Sequence, residues 1–181
     1  MSTPHNPKRY GEKWPQEKID VCLVELEAIK EFVVLSGGWA WHFMSVFGHT
    51  EYKHIHDHKD IDVFVSPTDV WTIIPTLENR EFKKVKTKYD KLPSKEEFRR
   101  YEKTQYTGNG AAIKITIDFF VRDVPFIEVN GWKLVEPEFL LSLYSNIHSS
   151  NNCFAVLTAA KLIEQGINPI GREELSTIDE R

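Results

Sequence analysis

The chain has 181 residues, of which 41% are hydrophobic, and a formal net charge of −4. This length is enough for one compact domain with a core of its own. No apolar run reaches the roughly 20 residues that span a membrane, and residues 1–9 lack the apolar stretch of a signal peptide. We therefore expect neither membrane insertion nor export. Cys22 and Cys153 both fall in apolar helical patterns, which predicts buried thiols and a cytoplasmic location.

The first half of the chain predicts helices and strands arranged around a glycine turn. Apolar residues recur at helical spacing from Ile19 to Ile29, behind Pro15. A short strand over 33–35 leads into the turn Ser36-Gly37-Gly38. A helix over 39–47 follows, ended by Gly48, and then a strand over 60–65.

The second half continues this alternation. Ser66 and Pro67 predict the N-cap and first residue of a helix that ends near Leu77. Asn130-Gly131 predicts a tight hairpin turn. The remaining predicted elements are a candidate strand over 82–88, a strand over 112–122, hairpin strands over 126–129 and 132–135, and helices over 137–148 and 152–165.

This order of elements predicts an α/β (α+β) domain, with a small mixed β-sheet flanked by helices and a short C-terminal helical appendage. We expect residues 1–15 to form a flexible tail, residues 16–136 the main domain, and residues 137–181 helices packed on that domain.

Two aspartates one residue apart, Asp60 and Asp62, are the most informative feature of the sequence. Alternation along a strand puts both carboxylates on one face, with Ile61 on the other. Carboxylates held so close raise each other's pKa unless a cation lies between them. Hard divalent cations bind such oxygens and usually bring a phosphate substrate with them.

The glycine turn upstream supplies the second half of a phosphate site. Gly37 and Gly38 have no Cβ, so the backbone N–H groups can close on an anion, and the N-terminus of the following helix adds its dipole. Many Gly-Gly pairs are only turns, and the functional interpretation depends on the aspartates that follow.

The run over residues 35–65 resembles the nucleotidyltransferase superfamily that includes DNA polymerase β. It is most similar to the small nucleotidyltransferases that modify aminoglycosides and lincosamides. The shared features are Gly-Gly-Trp, a glycine at the helix end, a histidine shortly before the acids, and Asp-Ile-Asp. In this chain the histidine is His58, which the resemblance puts close to phosphate, while Ser36, Gly37 and Gly38 would cradle the triphosphate.

The resemblance also implies a third carboxylate on a later strand. Asp118 is the candidate in a good strand context, because Asp90 and Asp123 lie in predicted turns. An aspartate in so apolar a run is costly to bury without a metal, hydrogen bonds or an exposed strand edge. Asp118 would then be a metal ligand or the general base, with capping or pairing to a lysine as the structural alternative.

The implied reaction moves a nucleoside monophosphate from a nucleoside triphosphate to a hydroxyl group and releases pyrophosphate. Asp60, Asp62 and Asp118 would hold Mg²⁺, with Mn²⁺ as the alternative, and ATP is the commonest donor. The acceptor stays open between an antibiotic-like small molecule, an RNA end and a protein side chain. A homodimer that shares its site is a further open alternative, because a chain of this size has little room for a large acceptor.

Residues 80–103 form a basic segment, with ten basic and five acidic residues. One interpretation is a solvated hairpin or loop with a basic face. The other is a positive rim that attracts triphosphate or RNA. An enzyme for polycationic aminoglycosides would be expected to have an acidic acceptor cleft instead.

Two other function classes remain open. His49, His54, His56 and His58 crowd the segment before the acids, but their spacing is one residue shorter than that of metallo-β-lactamase-type hydrolases, which disfavours a zinc hydrolase. The second class is a binding or regulatory protein that kept the fold and lost turnover; retention of all three aspartates argues against it.

Overall fold

The computed structural model describes residues 15–44, 59–91 and 97–146, and the helical residues 156–157, 159–160 and 163–164. Four helices and seven strands lie in the three long ranges. The helices are α1 (Gln16–Ile29), α2 (Gly37–Met44), α3 (Val70–Asn79) and α4 (Pro137–Ser145). The strands are β1 (Val33–Leu35), β2 (Ile61–Val65), β3 (Lys83–Val85), β4 (Glu97–Tyr106), β5 (Ala112–Val121), β6 (Phe126–Val129) and β7 (Trp132–Val135).

The seven strands form one mixed sheet in the order β3-β4-β5-β2-β1-β7-β6. β2 runs parallel to β5, and β1 runs parallel to β7, while the other neighbouring pairs are antiparallel. The described part of the chain is therefore of the mixed α/β class, as the order of elements predicts.

One face of the sheet carries most of the strand residues of the hydrophobic core. Val33 and Leu35 of β1, Val63 of β2 and Phe119 of β5 are buried on that face, and they belong to one cluster with Leu26 of α1. Because successive side chains alternate, the other face carries Asp62, Asp118 and their neighbours. Asp62 and Asp118 thus share the second face with Phe64, which is buried in the same cluster.

The hairpin over β6 and β7 has the predicted turn. Asn130 has φ +49° and Gly131 has φ +78°, the left-handed conformations that a two-residue hairpin turn needs. The helix predicted behind Pro15 and the strands predicted over 33–35 and 112–122 are confirmed within one or a few residues.

Three sequence predictions were wrong in detail. Helix α3 begins at Val70, not at Pro67, because the Asp69 N–H donates to the Ser66 carbonyl (2.9 Å) and closes a turn first. The helix after β1 begins at Gly37, so the glycines are its first residues and not a turn before it. The candidate strand over 82–88 is shorter than predicted and covers Lys83–Val85.

The long strand β4 was not predicted. It lies in the basic segment, and its pairing with β3 and β5 makes it an interior strand of the sheet. Charged residues on both of its faces hide the period of two by which a strand is recognised.

The helical residues of the C-terminal part contribute to the same core as the sheet. Leu140 of α4 and Ala159 are buried in the single hydrophobic cluster, and the Trp41 indole N–H donates to the Tyr144 hydroxyl (3.2 Å). None of the described helices is long and apolar enough to cross a bilayer. Cys22 is buried as predicted, and burial raises the pKa of its thiol to about 11; Cys153 lies outside the described residues.

Candidate functional site

Asp62 and Asp118 are direct neighbours in the sheet. β2 and β5 pair in parallel with Asp62 opposite Asp118, so both side chains leave the sheet on the same face. Asp60 lies in the bend immediately before β2. The Lys18 ammonium donates to the carbonyl of Lys59 (3.2 Å), which ties this bend to helix α1. The structure therefore brings the start of β2 and the middle of β5 together.

The glycine segment, Ser36-Gly37-Gly38, lies against Asp62. The Ser36 N–H donates to the Asp62 carbonyl (2.8 Å), which fixes the start of α2 beside β2. Gly37 has φ +56°, and a Cβ at this position would lie 2.6 Å from Asp62 Oδ2. No side chain fits there without displacing the carboxylate. Glycine is required here both by its backbone conformation and by the closeness of Asp62.

Arg100 is a further member of the site, and the local sequence pattern does not predict it. It lies opposite Asp118 in the antiparallel pairing of β4 and β5. Its Nε donates to Asp118 Oδ1 (2.6 Å) and its Nη2 to Asp118 Oδ2 (2.5 Å). The same Nη2 lies 3.9 Å from Asp60 Oδ2. One guanidinium thus faces two of the three sequence-predicted acids.

The sequence holds a signal for the hairpin of β4 and β5, but not for its register. Arg100 and Asp118 are equally far along the chain from Asn109, and Asn-Gly is a strong hairpin signal. Tyr106 pairs with Ala112 around that loop, and Gly110 has φ +83°. A two-residue Asn109-Gly110 turn would have put Arg100 opposite Phe119, one residue away from the observed partner, so the motif predicts the hairpin and not the placement of Arg100.

The electrostatics of Asp118 are those of a buried carboxylate. Only 6% of the residue is exposed, and burial raises its pKa above the usual value. Asp60 adds to that rise, whereas the hydrogen bonds and charge of Arg100 oppose it. In turn, the hydrogen bonds to Asp118 raise the pKa of Arg100. The carboxylate needs a cation beside it, and the guanidinium supplies one.

The donor set suits a hard divalent cation in the type of its ligand atoms. Carboxylate oxygens are the ligands that Mg²⁺ and Mn²⁺ prefer. The guanidinium between Asp60 and Asp118 stands where a cation is stabilised by both. Among the described residues, however, no group of three or more His, Cys, Asp or Glu side chains is spaced to hold a metal ion. With Arg100 bound to Asp118, a metal would be held by fewer than the three expected carboxylates.

Other sequence-predicted residues divide into those beside the acids and those not described. Ser36, Gly37 and Gly38 are buried next to β2. His58 lies outside the described residues, as do His49, His54 and His56. The structure therefore does not test the zinc-hydrolase hypothesis. Asp90 has a different, local role: it accepts hydrogen bonds from Thr87 and pairs with Lys84 (3.4 Å).

The basic segment does more than present a solvated face. Lys103 and Arg80 both bind the carboxylate of Glu25, at 2.8 and 2.6 Å, and the Glu25 side chain is only 3% exposed. Together with Arg100, these cations neutralise carboxylates that the fold buries. Three of the ten basic residues of the segment therefore have buried carboxylates as partners.

Comparison with known proteins does not assign the chain to a family. No protein-family model matches the chain, and a search of curated proteins finds no significant relative.

Proposed function

We propose that this protein is a metal-dependent nucleotidyltransferase with the DNA polymerase β-like fold, which moves a nucleoside monophosphate from a nucleoside triphosphate to a hydroxyl acceptor. A single observation carries the proposal: Asp62 lies opposite Asp118 in the sheet and is also in contact distance of Gly37. The carboxylates that would bind a cation thus lie beside the glycine segment that would bind an anion.

Each part of the site has a task in this reaction. Ser36, Gly37 and Gly38 would bind the triphosphate at the N-terminus of α2, where the N–H groups of the first helical turn and the helix dipole favour negative charge. The Ser36 N–H itself is engaged by the Asp62 carbonyl. Asp60 and Asp62 would orient the donor through a divalent cation. Asp118 would complete the carboxylate set or accept the proton of the acceptor hydroxyl.

The bound Mg²⁺ or Mn²⁺ would neutralise the charge that develops on the phosphates as pyrophosphate leaves. The protein's own residues have a mainly geometric role. Phosphoryl-type transfers ask little covalent chemistry of the protein, so positioning and electrostatics account for most of the rate. A rigid sheet is suited to this role, since Asp62 and Asp118 are fixed by the pairing of β2 and β5.

A second candidate is a nucleotide-binding protein without turnover. The observation in its favour is the bidentate pair of Arg100 and Asp118, because a salt-bridged carboxylate does not ligate a metal unless it is released. We favour the enzyme, because the Arg100 side chain is 32% exposed, so its release from Asp118 would not require the strand to move.

The experiment that tests the proposal is a transfer assay with each nucleoside triphosphate labelled at the α-phosphate, Mg²⁺, and separate acceptors. The acceptors are total tRNA, an aminoglycoside, a lincosamide and the protein itself. The enzyme proposal predicts Mg²⁺-dependent label on one acceptor. Label in the RNA fraction would support attraction of RNA by the basic segment, and label on a drug would support a resistance enzyme.

The same samples separate the alternatives. Nucleotide binding with no label on any acceptor would support the non-catalytic protein. Thermal stabilisation by zinc alone, with no response to Mg²⁺ and nucleotide together, would support the hydrolase hypothesis and contradict the proposal.

A further inference from the structure

Arg100 and Asp118 form the most tightly matched ion pair of the candidate site. Both guanidinium contacts are short, 2.6 and 2.5 Å, and each uses a different carboxylate oxygen. Arginine prefers this two-point geometry with carboxylates and with phosphates alike. Arg100 therefore has two natural partners in a nucleotide-binding site, and Asp118 is one of them.

The two members of the pair differ in their freedom to move. The Asp118 side chain is 8% exposed, and it is fixed in an interior strand between β4 and β2. The Arg100 side chain is 32% exposed, and its long stem can rotate. If the pair opens, the guanidinium leaves and the carboxylate stays.

The guanidinium and a divalent cation would compete for the same oxygens. Nη2 contacts Asp118 and lies 3.9 Å from Asp60, so the positive charge stands between two of the acids. A second cation at Asp118 would be repelled by Arg100, and it would find both carboxylate oxygens of Asp118 already engaged.

Building on the proposed function, we propose that Arg100 is a positioning residue that couples metal binding to nucleotide binding. In the free protein it holds Asp118. When a nucleoside triphosphate binds, its guanidinium moves to the phosphates, and Asp118 becomes available to a divalent cation. The metal-binding strength of the acids then depends on whether the donor is present.

Arg99 provides a matched control on the same strand. Its side chain points to the opposite face of the sheet, where it pairs with Glu97 and lies over the Phe119 ring, 5.8 Å from the centroid. Arg99→Met and Arg100→Met remove the same charge from adjacent positions. Only Arg100→Met removes the charge that lies beside Asp60 and Asp118.

The test measures two affinities in the wild type and both variants. Mn²⁺ alone is titrated by electron paramagnetic resonance, and α,β-methylene ATP is titrated at saturating Mn²⁺ by calorimetry. Arg100→Met is expected to bind Mn²⁺ alone about tenfold more tightly, because a competing charge is gone. It is expected to bind the nucleotide analogue about tenfold more weakly, because the phosphates have lost a partner. Arg99→Met should match the wild type in both.

Opposite changes in the two affinities are the signature of this role. A merely structural Arg100 would weaken both when replaced, and that result would overturn the inference, as would unchanged Mn²⁺ affinity. Because the variant leaves Asp118 without its partner, the Mn²⁺-induced rise in melting temperature is measured as well. It should be larger in Arg100→Met than in the wild type, even if the variant is less stable without metal.

The outcome is independent of turnover. If the affinities change as expected and no acceptor is labelled, the coupling stands and the transferase proposal falls. If an acceptor is labelled while the Mn²⁺ affinity of Arg100→Met equals that of the wild type, the transferase stands and Arg100 has no such role.

Discussion

Asp62 is the residue on which the candidate site depends most. Its carbonyl accepts from Ser36, its side chain lies against Gly37, and its sheet neighbour is Asp118. A change at any of these contacts is therefore transmitted to its carboxylate. Substitutions of the glycine segment test this dependence without altering an acid.

We predict that Gly37→Ala impairs the site by more than its cost in backbone strain. The left-handed conformation costs a residue with a Cβ about 1–2 kcal/mol. At Gly37 the new methyl group must also displace Asp62 Oδ2, which would lie 2.6 Å away. We expect a larger loss of stability in urea unfolding, together with loss of stabilisation by Mg²⁺ and ATP.

Gly110→Ala separates the two effects. Gly110 has φ +83°, but a Cβ there would meet nothing within 4 Å. This variant should lose about 1–2 kcal/mol from the same conformational cost and keep its response to Mg²⁺ and ATP. Equal behaviour of the two variants would mean that the contact with Asp62 has no functional role.

At the scale of elements, β4 serves both faces of the sheet. Arg100 points to the acids, whereas Lys103 points to the core face, where it shares Glu25 with Arg80. Glu25 belongs to α1 and Arg80 caps α3, so one buried carboxylate fastens two helices to the strand that carries Arg100.

We predict that Glu25→Gln destabilises the fold strongly. Removing one partner of a buried ion pair costs roughly 3–5 kcal/mol, because the remaining charges stay desolvated without compensation. Here two cations would be left. The control is Glu27→Gln, since the Glu27 side chain is 63% exposed and its pair with Lys30 should contribute less than about 1 kcal/mol.

Urea unfolding of the two variants measures the difference directly. A loss in Glu25→Gln no larger than that in Glu27→Gln would show that the Glu25 cluster does not hold the helices to β4. Because Glu25 lies on the core side, the Mn²⁺ affinity of the folded variant should equal that of the wild type.

The elements differ in how far the sequence specifies them. The hairpin around Asn130-Gly131 could be predicted because its turn requires positive φ, which only a few residues tolerate. β5 could be predicted from its alternation of isoleucines with polar residues. β4 could not, because its charged residues are satisfied by partners distant in sequence: Glu25 for Lys103 and Asp118 for Arg100.

The same distinction applies to the site. Asp60, Asp62 and Asp118 could be selected as candidates from local context, and the sheet brings Asp62 and Asp118 side by side. The placement of Arg100 required the register between β4 and β5. No local pattern specifies that register, because a two-residue turn at Asn109-Gly110 would shift it by one residue and put Arg100 on the other face.

In the described part of the molecule, most of the buried strand residues and the candidate chemistry lie on opposite faces of the sheet. The second face carries Asp62, Asp118, Arg100 and the start of α2, together with the buried Phe64. A net charge of −4 does not by itself favour an anionic donor. The proposed site therefore relies on local cations, on backbone N–H groups and on a divalent metal to bind a triphosphate.

The measurement that tests the central claim most directly is pyrophosphate release from ATP with Mg²⁺ and an acceptor, in the wild type, Asp62→Asn and Asp123→Asn. Asp123 is an exposed acid outside the carboxylate set and serves as the control. We predict release in the wild type and Asp123→Asn, and a loss of at least about a hundredfold in Asp62→Asn, whose fold stays intact. Turnover in Asp62→Asn at the wild-type rate would contradict the claim that these carboxylates hold the catalytic metal.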